Sequence, residues 1–579
     1  MHPQFRETWV VDFEFMAPDG EKPDPVCVVA KEVHTGKIIR EWLQGVDAPK
    51  KPPYPIDEQS LSVAYYASAE WGCHLSLSWD LPQSTIDLYA EYRNLTNGFP
   101  GIRRGLLSAC SRYGIQTAAD AYKEGMRDRI LQGPPFTDQE KKDILDYCQS
   151  DVDATCELYK AMSPEIDVPR ALFRGEYMET IAQMEYRGTP LDGKTLTRLL
   201  DKWDDIKALL IKETDSDFGV YEGLKFKMSL FEDYLTRNGI PWPRTEKGNL
   251  KTNDDTFKDM AKAYPEIQPL RDLRFIIGQL KLNGIAIGND NRNRCLLSPY
   301  NTKTGRNSPS TKKFIFGPAV WLRNLITPEK GKALGYIDYS QQEFYIAAVL
   351  SGDVAMQEAY KSGDPYLAFA KQAGAAPENA TKTTHKEIRD AFKQCVLGVQ
   401  YGMGADSLAY RMGKTPAHAK ELLRHHHRVY KTYWDWNSKV FNNTLLNRKI
   451  TTCLGWSFWV IGAGCKERTI KNWPIQATGA EILRIACILL KREGIHIVAP
   501  IHDALLVECY EDEIESIIPL AQKLMEDASE IVLGQGYRIR TDVDLIKWPD
   551  RYQDPRGAKT WEKIMGILET LEGDVTWTT

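Results

Sequence analysis

Arg389, Lys393, Leu397 and Tyr401 recur at every fourth residue and run into Gly402-Met403. On a helix that spacing stacks the four side chains on roughly one face. Two permanent cations therefore lead the same face that ends in an apolar contact and a phenol, whereas an ordinary amphipathic helix separates these types. Cations beside a flat apolar platform suit a ligand with a polyphosphate at one end and a planar base at the other; the plainer alternative is a pair of surface cations on a half-buried helix. Aspartates stand on either side of this helix in the chain. Leu334, Tyr336 and Ile337 lead to Asp338, which predicts a short buried strand ending on a carboxylate. Apolar runs on both sides of His502-Asp503 predict a β-hairpin that displays those two residues at its tip. Each aspartate alone also reads as a turn or cap residue, but a charge left unpaired at a buried strand end is costly. Two such carboxylates converging would hold a pair of divalent cations about 4 Å apart, an arrangement that activates a hydroxyl nucleophile and steadies a departing pyrophosphate.

In this order the stretches resemble the motifs of the family A DNA polymerases, the group of bacterial DNA polymerase I and many phage replicases. Asp338-Tyr-Ser-Gln-Gln-Glu343 is similar to the first palm motif, Arg389 to Met403 to the fingers motif, and His502-Asp503 to the second palm motif. Thr304-Gly305-Arg306 resembles the primer-template contact ahead of the palm. Arg468-x3-Asn472-x-Pro474-x-Gln476-x2-Gly479 resembles the segment along the duplex minor groove. The resemblance implies a template-directed DNA polymerase that adds deoxynucleotides to a primer 3′ end by two-metal phosphoryl transfer. It implies that Asp338 and Asp503 bind two Mg2+ ions, with Mn2+ as an alternative, and that Arg389 and Lys393 grip the incoming triphosphate. Leu397, Gln341 and Tyr401 would complete the nucleotide site, Tyr401 beside the template base. Glu343 would close the space beside the sugar C2′ and exclude ribonucleotides. Arg306, Arg468, Asn472, Gln476 and His502 would hold the primer-template duplex. Two positions depart from the family pattern: Leu397 stands where Phe or Tyr is usual, and Ala504 where an acidic residue often follows the His-Asp pair.

A second constellation lies near the N-terminus. Thr8 to Phe15 is an apolar strand with Asp12 and Glu14 at i and i+2, so both carboxylates point to one face. Tyr147 and Asp151, at i and i+4 of a helical stretch, also share a face. The set resembles the DEDDy-type 3′–5′ proofreading exonucleases fused to family A polymerases, which implies that Asp12, Glu14 and Asp151 hold two metals and that Tyr147 orients the attacking water. The fourth carboxylate falls on Glu70 or Asp87, and Glu70 fits the order better.

The implied fold class is α/β multidomain, an RNase H-like exonuclease domain followed by a right-hand polymerase. The expected limits are 1–165 for the exonuclease, 166–299 for the thumb and entry to the polymerase, 300–352 and 471–550 for the palm, 353–470 for the fingers, and 551–579 for a C-terminal extension. The prolines at 164 and 169 suggest the first boundary. An apolar helical face from Trp561 to Leu571 suggests that the extension packs on its own chain. No 5′-nuclease domain is expected, since only eleven residues stand before Asp12 in the sequence.

At 579 residues the chain is long enough for several cores. Its net charge of −5 is not that of a simple nucleic-acid binder, but residues 385–431 hold nine Lys or Arg against four Asp or Glu, a local basic stripe. Eleven cysteines without a C-x2-C pair suggest reduced cytoplasmic thiols, and no signal peptide or membrane-spanning run is evident. His425-His426-His427 reads as a polar helix face near DNA, because consecutive helical residues fan out too widely to chelate one ion. The expected partners are primer-template DNA and dNTPs, together with replisome proteins such as a helicase, primase, clamp or single-strand binding protein. The chain is expected to be monomeric, free of the membrane and located in the cytoplasm, the host's if it is phage-encoded. Two other classes compete: a single-subunit RNA polymerase, against which Glu343 and the exonuclease set speak, and a binding factor that has lost the chemistry, against which the four polymerase residues speak.

Overall fold

Strand β1 (Glu7–Met16) is the centre of the N-terminal part of a computed structural model that describes residues 4–46, 48–117, 120–279, 282–317, 319–400, 402–462 and 465–573. With β2 (Asp24–Glu32), β3 (Ile38–Trp42), β4 (Ser60–Ala64) and β5 (Thr85–Asp87) it forms a five-stranded sheet of order β3-β2-β1-β4-β5. The β1–β2 and β2–β3 pairs are antiparallel, and β1–β4 and β4–β5 are parallel. The period-two alternation of β1 sends Trp9, Val11 and Phe13 into one core cluster and Val10 into another that includes Ile144, Cys148 and Val152. Those three residues belong to the long helix among α1 (Ser68–Ser76), α2 (Leu88–Thr96), α3 (Asp120–Gln132) and α4 (Asp138–Met162). Asp12 and Glu14 share the parity of Val10, so they face α4. A capping box between Thr137 and Glu140 starts α4.

Helix α5 (Val168–Arg187) packs on this sheet and also on the helix that carries Lys491 and Arg492: Glu179 accepts from Thr85 Oγ1 at 2.7 Å and pairs with Lys491 at 2.5 Å, and an ideal Cβ on Gly175 would lie 1.9 Å from the Thr85 carbonyl oxygen. The prolines at 164 and 169 sit in the first turns of helical segments, where a missing N–H costs nothing, and do not mark a linker.

The same compact unit, residues 1–187, 296–308 and 334–545, carries a second sheet. Its strands are β6 (Lys332–Tyr339), β9 (His496–Ile501), β10 (Ala504–Tyr510) and β11 (Thr541–Lys547), in the order β9-β10-β6-β11; the small hairpin β7 (Lys449–Thr451) and β8 (Ser457–Trp459) stands apart. The helices used below are α6 (Gln342–Ser351), α7 (Lys386–Gln400), α8 (Pro416–Val429), α9 (Glu467–Arg492) and α10 (Ile514–Leu533). By length and hydropathy α9 could cross a membrane, but 83% of the qualifying stretch is buried in the protein. It is a core helix.

The triple-histidine reading needs correction. His426, on α8, is buried among Phe369, Tyr430 and Trp434, and it accepts from Trp434 Nε1 at 3.0 Å; burial pushes its pKa down to about 3. His427 is exposed and stacks on Trp434 at 3.7 Å. One turn of helix thus sends one histidine inward and another outward.

The second unit comprises residues 188–295, 309–333 and 546–579. It takes in residues 309–333, which the sequence placed in the palm. The helix Ala558–Gly573 buries Ile564, Ile567 and Leu568 and pairs Lys563 with Glu213 at 3.1 Å, so the C-terminal extension packs on its own chain.

Candidate active sites

Asp338 stands near the end of β6, and Asp503 precedes β10, its neighbour in the sheet. The turn between β9 and β10 is only His502-Asp503, with His502 in the left-handed region at φ 54°. Burial, then the charges of Asp503, Asp542 and Asp544, push the Asp338 carboxyl up to about 7. Burial raises Asp503 as well, against the opposing pull of Arg306. Asp338 Oδ1 is buried and has no hydrogen-bond partner among the described residues. A carboxylate pair short of positive charge, with one oxygen uncommitted, fits divalent cations.

Gln341 links β6 to α6 in a left-handed conformation, φ 51°, and its Oε1 is likewise buried without a partner among the described residues. Glu343 lies in the first turn of α6, where a carboxylate complements the helix dipole, and pairs with Arg306 Nη2 at 3.2 Å. On α7, Arg389 and Lys393 flank the Tyr366 ring at 5.5 and 5.8 Å. Arg389 is ion-paired through Nε with Asp364, the N-cap of the helix Pro365–Gln372. One of the two expected phosphate cations is therefore held by a carboxylate. Leu397 is half-buried, and Tyr401 lies outside the described residues.

Arg468, Asn472 and Gln476 follow one another at a spacing of four on α9 and line a cavity of about 900 Å3 with Lys303 and Thr304. Gly402 also borders it, and at φ +64° an added Cβ would lie 2.7 Å from Arg468 Cβ, so the close approach to α9 at this position requires a glycine.

In the first sheet, Asp12, Glu14 and Cys148 have ligand atoms within 4.8 Å of one another. Cys148 Sγ lies 3.4 Å from Asp12 Oδ2. Burial and the nearby Asp151 push Asp12 up to about 8, and burial with Asp12 raises Glu14. Asp151 is ion-paired with Lys123 of α3. Tyr147 is raised by burial and by the charges of Glu14, Asp151 and Asp12. Glu70 is buried, accepts from the Phe13 backbone N–H at 2.8 Å, and is raised by burial and by Asp12. Asp87 is committed elsewhere: its side chain caps α2 by accepting from the backbone N–H groups of Tyr89 and Ala90, and it also accepts from those of Tyr66 and Ala67. The geometry thus groups Glu70, not Asp87, with Asp12 and Glu14.

The raised carboxyls predict a pH-dependent metal effect. With Asp12 near 8 and Asp338 near 7, the native chain keeps protons that the unfolded chain has released above about pH 4. Stability of the metal-free protein therefore falls as pH rises through that window. Thermal unfolding in EDTA and in Mg2+ checks this: the Tm gain from Mg2+ is larger at about pH 8.5 than at about pH 6, and Asp12→Asn reduces the difference. Equal gains at both pH values would remove these carboxylates from the metal sites.

Several residues at these sites were not singled out from sequence. Asp542 and Asp544 alternate along β11, an Asp-x-Asp signal that was legible; Asp542 accepts from Ser340 Oγ. Cys148 adjoins Tyr147, but nothing in its type marks it. Lys123, Asp364 and Tyr366 reach their partners only through the fold.

A model described as DNA polymerase family A matches residues 202–546, more than half of the chain. DNA polymerase I of Aquifex aeolicus is 26% identical over 459 residues, covering 73% of this chain and 75% of the relative. The DNA polymerase of Mycobacterium phage D29 is 25% identical over 455 residues, 73% of this chain and 69% of the relative. DNA polymerase I of Lactococcus lactis is 26% identical over 384 residues, and the match spans 43% of that relative's length. Among solved structures, the POL domain of Pol1 from M. smegmatis, in complex with DNA primer-template and dNTP, superposes with a TM-score of 0.73 at 19% identity, covering 93% of this chain and 95% of that one. Because that family model spans more than half of its length, the chain belongs to DNA polymerase family A.

Proposed function

We propose that this chain is a template-directed DNA polymerase that extends a primer 3′ end and carries a separate 3′–5′ exonuclease. The observation that carries the reading is the presence of two separate, half-buried to buried carboxylate sets on two different sheets and the elements packed on them, Asp338 with Asp503 and Asp12 with Glu14 and Glu70, each raised by its own crowding. Mg2+ held by each set would neutralise phosphate charge and lower the pKa of the attacking oxygen. The protein's part is positioning. Asp338 near the end of β6 and Asp503 in the turn leading into the neighbouring β10 are set against each other by the pairing of those strands. Lys393, and Arg389 once released from Asp364, bring cations to a triphosphate. Arg468, Asn472 and Gln476 present donors along one helix face to the duplex, and Glu343 occupies space beside the sugar. At the other site Tyr147 stands against Asp12, Glu14 and Asp151, where its hydroxyl can orient a water. Primer-template DNA and dNTPs are the substrates; action inside a cell, as a monomer beside other replication proteins, accords with this reading.

A 5′-labelled primer on a longer template, given Mg2+ without and then with the four deoxynucleotides, tests both sites. Shortening in the first condition and full extension in the second are expected. Extension without shortening removes the exonuclease, and no reaction in either condition overturns the proposal.

A further inference from the structure

The segment Tyr300–Arg306, which carries Thr304 and Arg306 to the cavity and to Glu343, is held by its backbone carbonyls, and part of that hold comes from the exonuclease side. Arg93 of α2 donates through Nε to the Tyr300 carbonyl at 3.3 Å and through Nη2 to that of Asn301 at 3.5 Å. Asn97, the C-cap of α2, donates through Nδ2 to the Lys303 carbonyl and to the Ser457 carbonyl of β8, both at 2.7 Å. The Lys303 oxygen also accepts from the indoles of Trp456 at 3.2 Å and Trp473 at 2.9 Å, and Arg484 of α9 donates to the Gly305 carbonyl at 2.9 Å. The Trp459 N–H donates to the Asn97 carbonyl at 2.8 Å, and Asn94 brackets Ser457 N and Gly455 O, so α2 also grips the β7–β8 hairpin. Gly98 makes the approach feasible: its φ is +102°, and a Cβ there would lie 2.0 Å from the Trp459 oxygen. The α2 helix is in turn fixed by a buried pair, Arg174 bidentate to Glu91 with both contacts at 2.6 Å.

We infer that Asn97 and Arg93 are positioning residues of the polymerase reaction: the exonuclease helix α2 sets the backbone from which the primer-template contacts of residues 303–306 project. With its carbonyls turned inward to α2, Trp456, Trp473 and Arg484, the segment presents Lys303 and Thr304 at the cavity and Arg306 at Glu343. The inference rests on the polymerase reading of the cavity. Its reach is that synthesis depends on a helix whose own domain carries the opposite activity.

The test uses Asn97→Asp in the full chain, which keeps the volume but replaces the donor with an acceptor facing two carbonyls. Fluorescence anisotropy on a labelled primer-template should show affinity reduced about tenfold, with the KM for dNTP and digestion of single-stranded DNA unchanged. Asn97→Gln, which restores a donor, should recover part of the loss. The loss should not add to that of Arg306→Ala, because both act through one segment. Arg93→Lys supplies the same readout if Asn97→Asp does not fold. Parent-like affinity in a folded variant, full additivity with Arg306→Ala, or a parallel fall in exonuclease rate and Tm overturns the inference. A parent chain that binds primer-template but does not extend it instead sinks the polymerase reading.

Discussion

Asp338→Ala abolishes primer extension, by on the order of 10^3-fold or more, and leaves 3′–5′ digestion within about twofold; Asp12→Ala does the reverse. The expectation follows from where the carboxylates sit. Asp338 ends a strand of the β9-β10-β6-β11 sheet, Asp12 lies within the separate β3-β2-β1-β4-β5 sheet, and each is raised by neighbours of its own sheet and the elements packed on it. Removing Asp338 leaves Asp503 without its partner but touches nothing in the other set. Both rates are measured on the same labelled primer, with and without deoxynucleotides. Loss of both activities in either variant, with Tm retained, would mean that the two sets act as one site.

Glu343→Ala relaxes ribonucleotide exclusion by roughly 10^2-fold to 10^3-fold while deoxynucleotide incorporation falls far less, because exclusion by filled space is lost when the side chain is removed. The structure adds a complication. Glu343 is also the ion-pair partner of Arg306, so the substitution frees a cation expected to face the duplex. Two further variants separate the roles. Glu343→Gln keeps the bulk and so keeps the discrimination, but releases Arg306. Arg306→Ala weakens primer-template affinity and leaves sugar selection intact. The ratio of kcat/KM for a ribonucleotide and its deoxynucleotide decides it: if Glu343→Gln is as permissive as Glu343→Ala, charge and not bulk does the excluding. A single-subunit RNA polymerase, the competing class, would show the opposite ratio in the parent, favouring the ribonucleotide.

The residue types at the sites were readable from the chain, because spacing in regular elements is a local property. Asp12 and Glu14 at i and i+2, and Arg468, Asn472 and Gln476 at multiples of four, face together wherever a strand or helix forms, and both do. The choice between Glu70 and Asp87 was not local. Two amides of the helix start after Asp87 and two distant ones, of Tyr66 and Ala67, claim its carboxylate, while Glu70 reaches across 57 residues to the Phe13 amide. Residue 165 is a similar case: proline marks where a helix begins, but only packing tells what that helix joins, and Val168–Arg187 meets both Thr85 and Lys491.

From its sequence alone the chain determined its family motifs, the two carboxylate sets and the cationic face of α7, since these depend on residue type and period. Tertiary structure alone decided that Asp364 holds Arg389, that Lys123 holds Asp151, that Asp542 and Asp544 stand beside Asp338, that His426 is core, and that α2 grips the segment before Arg306. Each of those joins residues far apart in the chain, and which distant groups meet is fixed by the register and packing of whole elements, which no short window of sequence contains.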